Sequence, residues 1–269
     1  MMSDVLLAFL FTLVAGLATG IGSLLAFFAK TTNTKFLSFA LGFSAGVMIY
    51  VSFVDIFVKA NDALVGELGE QGGSWLTVSS FFGGMLLIAL IDKFIPKHSN
   101  PHEMKKIEDM KKPGSAINDP ALLKMGVFTA LAIGIHNFPE GIATFVSTLQ
   151  DPALGLAIAI AIAIHNVPEG IAVSVPIYYA TGDKKKAFKL SVLSGLSEPI
   201  GAIAAFLILM PFLNDITFGV IFASVAGIMV FISLDELLPA AKKYDEAHLS
   251  IYGLISGMAV MAVSLLLII

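Results

Sequence analysis

Eight apolar runs, each close to the roughly 20 residues that carry a helix across a bilayer, occupy most of this 269-residue chain. They are read as Val5–Ala29, Phe36–Val58, Trp75–Ile95, Ala121–Leu149, Ala153–Ala180, Ala187–Phe212, Phe218–Pro239 and Ser250–Ile269. Only 13% of the residues are charged, against about 25% in a soluble domain. The pattern predicts an all-α polytopic membrane protein with eight transmembrane helices. Residues 1–269 form one transmembrane domain, with residues 96–120 a polar loop inside it. Met1-Met2-Ser3-Asp4 lacks the basic n-region of a signal peptide, so the first run is expected to be a retained helix.

Lysine sets the orientation, because the chain contains no arginine. Fifteen of the sixteen lysines fall before, between or after helices so that they share one side. The exception is Lys59, set among Asp62, Glu67 and Glu70. The positive-inside rule makes the lysine side cytoplasmic and places both termini extracytoplasmic. The Gly-rich segment from Asn61 to Ser74 is then expected to be a flexible external loop, and residues 96–120 a cytoplasmic one. His98 and His102 in the latter lie at i and i+4, the spacing of a metal pair but equally of a solvated loop. Gly16/Gly20 and Gly42/Gly46 have the spacing that lets membrane helices approach closely. With no cysteine, any metal must be held by nitrogen and oxygen. No basic patch with interleaved aromatics suggests nucleic acid; the expected partners are the lipid bilayer and divalent metal cations.

Polar residues interrupt the apolar runs in a repeated form. His136-Asn137-Phe138-Pro139-Glu140-Gly141 recurs as His165-Asn166-Val167-Pro168-Glu169-Gly170, and Ala132–Ala143 aligned on Ala161–Ala172 has two mismatches. On a helix, i and i+4 share a face, so His136 projects with Glu140 and His165 with Glu169. Asn137 and Asn166 lie one step around. Pro139 and Pro168 deprive the carbonyls of Ile135 and Ile164 of their helical donors. Such freed backbone survives at membrane depth only when it is buried in protein or lines a polar cavity. Glu198-Pro199 adds a third central carboxylate. Each glutamate costs roughly 2.5–3.5 kcal/mol if left charged and unpaired at the bilayer centre. A dication resolves that cost and gives the imidazoles a purpose, and two imidazoles with carboxylates suit Zn²⁺ or Fe²⁺ better than Mg²⁺ or Ca²⁺. The competing explanation is a pair of proline kinks whose polar groups are satisfied by neighbouring helices.

Further acids flank the centre. Asp55 near the outer end of the second helix, Asp62 just beyond it and Met48 about two turns deeper would line an entrance. Asp235 and Glu236 near the inner end of the seventh would line an exit. All four acids read equally as interfacial groups facing lipid headgroups.

The paired motif, the lysine-defined layout and the His-bearing loop resemble the ZIP (zinc/iron-regulated transporter-like) family, above all its bacterial members. The resemblance covers essentially the whole chain. It implies a 3+2+3 arrangement, in which helices one to three and six to eight are related by a pseudo-two-fold around helices four and five. It implies a first metal position at His136, Glu140, His165 and Glu169. A second, at Asn137, Glu140, Asn166, Glu169 and Glu198, would share the two motif glutamates. Import of Zn²⁺, with Fe²⁺, Mn²⁺, Co²⁺ or Cd²⁺ as further cargo, would proceed by sliding of structural units in the inner membrane of a bacterium. No prosthetic group is implied; a homodimer is suggested by the resemblance alone. Two other classes remain open on residues: a membrane-embedded metallohydrolase and a proton-coupled carrier of an organic solute. A zincin needs His-Glu-x-x-His, and the order here is His-x-x-x-Glu.

Overall fold

The computed structural model describes residues 2–28, 34–94, 120–209, 212, 214–243 and 248–268, and the regular structure among them is helical. The helices are α1 (Met2–Phe28), α2 (Thr34–Val51), α3 (Phe57–Phe94), α4 (Pro120–Gln150), α5 (Pro152–Thr181), α6 (Lys184–Gly195), α7 (Ser197–Ala204), α8 (Asp215–Ile232), α9 (Leu238–Lys243) and α10 (Leu249–Ile268). Wider π-helical turns at Ser52–Ile56 and Ser233–Leu237 join α2 to α3 and α8 to α9, and a third, Ala205–Leu209, continues α7. Among the described residues, six stretches are long and apolar enough to cross a membrane: Ser3–Phe28, Thr34–Ile91, Pro152–Thr181, Lys184–Ile208, Asp215–Lys243 and Leu249–Leu266. The chain is a multi-pass membrane protein.

The 58-residue stretch is not one rod. Gly69 has φ 75° and ψ 167°, a conformation closed to most side chains, and the chain reverses there. Phe57 and Phe81 have ring centroids 5.4 Å apart, whereas the intervening residues in a straight helix would separate them by about 36 Å. This corrects one expectation. The segment Asn61–Ser74 is helical apart from Gly69, not a flexible loop. Gly73 serves the reversal as well, since a Cβ there would overlap the backbone of Leu64 and Val65.

Local chemistry fixes the other ends. Asp151 caps α5, accepting from Ala153 N at 2.9 Å with Pro152 at the first helical position. That single-residue connection makes α4 and α5 antiparallel neighbours. Gly182, at φ 69°, ends α5, and Asp183 caps α6 through the amides of Lys185 and Lys186. Asn214 and Thr217 form a reciprocal capping box on α8.

Lipid offers no hydrophobic gain for helix association, so close backbone approach must supply the attraction. Glycines provide it in reciprocal pairs. A Cβ on Gly42 or Gly46 of α2 would overlap the carbonyls of Ser250 or Leu254 on α10, and one on Gly253 or Gly257 would overlap those of Phe39 or Phe43. Gly84 of α3 and Gly227 of α8 stand in the same relation to Ser224 and Phe81. Gly16 of α1 and Gly195 of α6 meet each other directly, whereas Gly20 faces the side chains of Val192 and Phe188. The expectation of close contact at Gly16/Gly20 and Gly42/Gly46 is borne out.

Gly46→Leu should therefore lower the melting temperature of the purified protein in detergent, because overpacking costs about 1–3 kcal/mol or more. Gly66, with nothing within 4 Å of an added Cβ, is the control. Gly66→Ala should leave melting unchanged or raise it slightly.

Candidate metal centre

Both motif copies lie inside long helices, α4 and α5, that continue through Pro139 and Pro168. Asn137, Glu140 and Asn166 are fully buried, as is Glu198; Glu169 retains 6% exposure. Two of these, Asn166 and Glu198, are joined directly by a hydrogen bond. Asn166 donates its amide to the carbonyl of Ala15 on α1 at 2.9 Å and to Glu198 Oε1 on α7. Asn137 donates to the carbonyl of Ser194 on α6 at 3.5 Å. The amide oxygens of both asparagines are buried with no hydrogen-bond partner among the described residues. An amide oxygen without a donor is a ready ligand for a cation.

The last residue of each motif explains how the helices come so close. A Cβ on Gly141 would overlap the Glu198 carbonyl, and one on Gly170 would overlap the carbonyl of Thr19. Reciprocally, Gly201 of α7 backs onto Phe138 and Gly22 of α1 onto Val167. Hydroxyls reinforce the second crossing: Ser23 donates to the Gly170 carbonyl at 3.3 Å and Ser191 to the Thr19 carbonyl at 3.2 Å. Glu198 owes its position to a break between α6 and α7 at Leu196 (φ −68°, ψ −9°). Pro199 then falls in the first turn of α7, where a backbone N–H would have no helical acceptor.

The side chains of His136 and His165 lie outside the described residues, though both positions are helical. His98 and His102 also lie outside the described residues. Met48 is fully buried, in the same apolar cluster as Ile158 and Ile162 of α5, and its sulfur faces Ser44 Oγ at 4.0 Å. Asp55 sits in the first π-helical turn and pairs with Lys59 at 3.1 Å. Asp62 is exposed. Asp235 is exposed and Glu236 half-buried in the π-helical turn Ser233–Leu237.

Sequence reasoning missed the part played by α1. Its signal was present: Gly16-Leu17-Ala18-Thr19-Gly20-Ile21-Gly22 repeats as Gly195-Leu196-Ser197-Glu198-Pro199-Ile200-Gly201, with four of seven positions identical. The repeat is short and composed of common membrane residues, so only the contacts give it meaning.

Residues 96–265 match a family model described as ZIP Zinc transporter. The chain is also 78% identical over 267 residues to the zinc transporter ZupT of Oceanobacillus iheyensis, covering 99% of this chain and 100% of that protein. The chain belongs to the ZIP family. Other similar ZIP proteins are the zinc transporters ZupT of Lysinibacillus sphaericus, 71% identical with 99% of each chain covered, and of Clostridium perfringens, 62% identical with 100% of this chain and 98% of that one covered.

In this ZIP chain Asn166 ties three helices together. Asn166→Ala should therefore destabilise the protein by about 1–3 kcal/mol, the cost of stranding buried hydrogen-bonding groups. A melting curve in detergent should show the loss, and a curve identical to that of the parent would remove Asn166 from its bridging role.

Proposed function

We propose that this chain carries divalent transition-metal ions, Zn²⁺ first among them, across the inner membrane of a bacterium through a centre built from both motif copies. The observation that carries the reading is the bond from Asn166 to the buried Glu198. It joins the second motif to the third central carboxylate, as the two-position scheme requires. His136, Glu140, His165 and Glu169 would hold the first ion. Asn137, Asn166 and Glu198, with both motif glutamates shared, would hold the second. Fe²⁺, Mn²⁺, Co²⁺ and Cd²⁺ suit the same donors.

The eight-pass, 3+2+3 layout with both termini outside belongs to the same proposal. The reversal at Gly69 supports it by dividing Thr34–Ile91 in two. The pairing of crossings supports the pseudo-two-fold: α1 on α5 mirrors α7 on α4, and α2 on α10 mirrors the α8 contact with the second half of α3. The glycine contacts described join α1, α4, α5, α6 and α7 into one set, and outside it pair α2 with α10 and α3 with α8. Between α3 and α8 on one side and α4 and α6 on the other runs an apolar cleft of about 870 Å³, flanked by Leu87, Val127, Leu131 and Leu193. A boundary of that kind suits sliding of the site-bearing set against the other.

ZIP proteins are transporters, so the hydrolase reading falls with the family. Purified protein in proteoliposomes should accumulate Zn²⁺, and His136→Ala or Glu169→Ala should abolish high-affinity uptake while leaving insertion intact. Parent-rate uptake in either variant would refute the site assignment, and a protein that ignores zinc would favour the organic carrier. Metal binding needs neutral imidazole and ionised carboxylate. Zinc affinity should accordingly fall as pH falls, read by equilibrium binding at a neutral and an acidic pH.

A further inference from the structure

In the register set by the repeated glycines, the two halves of the centre correspond position by position. Gly16 and Gly195 touch each other, Gly22 and Gly201 back onto equivalent motif residues, and Ala15 and Ser194 give their carbonyls to equivalent asparagines. In that same register the partner of Glu198 is Thr19.

Thr19 is buried, and its hydroxyl is deprived of its usual outlet. A threonine in a helix commonly bonds the carbonyl four residues back, as Thr12 does to Ala8 at 3.1 Å and Thr148 to Thr144 at 2.6 Å. For Thr19 that carbonyl belongs to Ala15, which receives Asn166 instead. Thr19 Oγ1 has no hydrogen-bond partner among the described residues. It lies against Gly195, where an added Cβ would sit 2.7 Å away. The neighbouring carbonyl, that of Ser194, holds Asn137, whose own Oδ1 is equally buried and without a partner.

We propose that Thr19 belongs to the second metal position, presenting its hydroxyl oxygen opposite Glu198; the assignment rests on the transport reading above. With Thr19 the position gathers six oxygen-bearing groups, the others being Asn137, Glu140, Asn166, Glu169 and Glu198. A six-oxygen set suits Mn²⁺ better than Zn²⁺, whereas the imidazoles of the first position favour Zn²⁺. The hydroxyl stays protonated and adds coordination without charge. Thr19 is thereby a selectivity residue: it sets how well the second position accepts harder ions.

Thr19→Val keeps the shape and removes the oxygen. In the purified full-length protein, competition against a chromogenic chelator should show Mn²⁺ affinity falling roughly tenfold, the loss expected for one contact to a charged partner, with a smaller fall for Zn²⁺. Thr19→Ser, which restores the hydroxyl, should recover most of the Mn²⁺ loss. A selectivity ratio unchanged in Thr19→Val overturns the assignment, as does an equal loss for both ions accompanied by a lower melting temperature. If Glu169→Ala still loses uptake while Thr19→Val matches the parent for both ions, the transport reading stands and the Thr19 role does not. A parent protein that binds neither ion removes both.

Discussion

Carboxylates held out of water govern this molecule. Glu140, Glu169 and Glu198 are buried at the crossing of α4, α5 and α7, where a charge without compensation is expensive. The described lysines other than Lys59 are exposed, and the half-exposed Lys59 is engaged with Asp55. In the transport reading, a divalent ion would supply positive charge there without a side chain to house. The asparagine amides complete the arrangement: each spends its N–H on a carbonyl and keeps its oxygen buried with no hydrogen-bond partner among the described residues. This division of labour explains why asparagine, with a donor and an acceptor on one short stem, stands beside each histidine.

The crossings that hold those groups together are made of backbone. At Gly141, Gly170, Gly22 and Gly201 a carbonyl of the neighbouring helix occupies the space a side chain would need. Contacts of this type give dispersion and weak Cα–H···O attraction where the hydrophobic effect gives nothing. Aromatic side chains take over away from the centre. Phe9, Phe145 and Phe206 pack with ring centroids 4.9–6.3 Å apart and tie α1, α4 and the π-helical turn after α7 together.

Much of this was legible in the chain. The motif repeat marked two helices that the structure brings together, and the lone Glu198-Pro199 pair marked the third that meets them, because carboxylates are rare in apolar runs. The reversal at Gly69 escaped because four glycines in Gly66–Gly73 read as a loop, whereas only one adopts a non-helical conformation. Thr19 escaped for a different reason. A threonine in a membrane helix normally satisfies itself on its own backbone, and nothing in the sequence reveals that Asn166 has claimed the Ala15 carbonyl. The π-helical turns at Asp55 and Asp235 were invisible too, since one extra residue in a turn leaves the apolar periodicity almost unchanged.

At Gly141 and Gly170 the helix spacing is set by glycine hydrogens and not by the carboxylates beside them. Side chains that do not themselves bridge helices, as Asn166 does, can be exchanged there without pushing the surrounding rods apart. A scaffold of this sort can be retuned from one cargo to another by point replacement, while its skeleton stays the same.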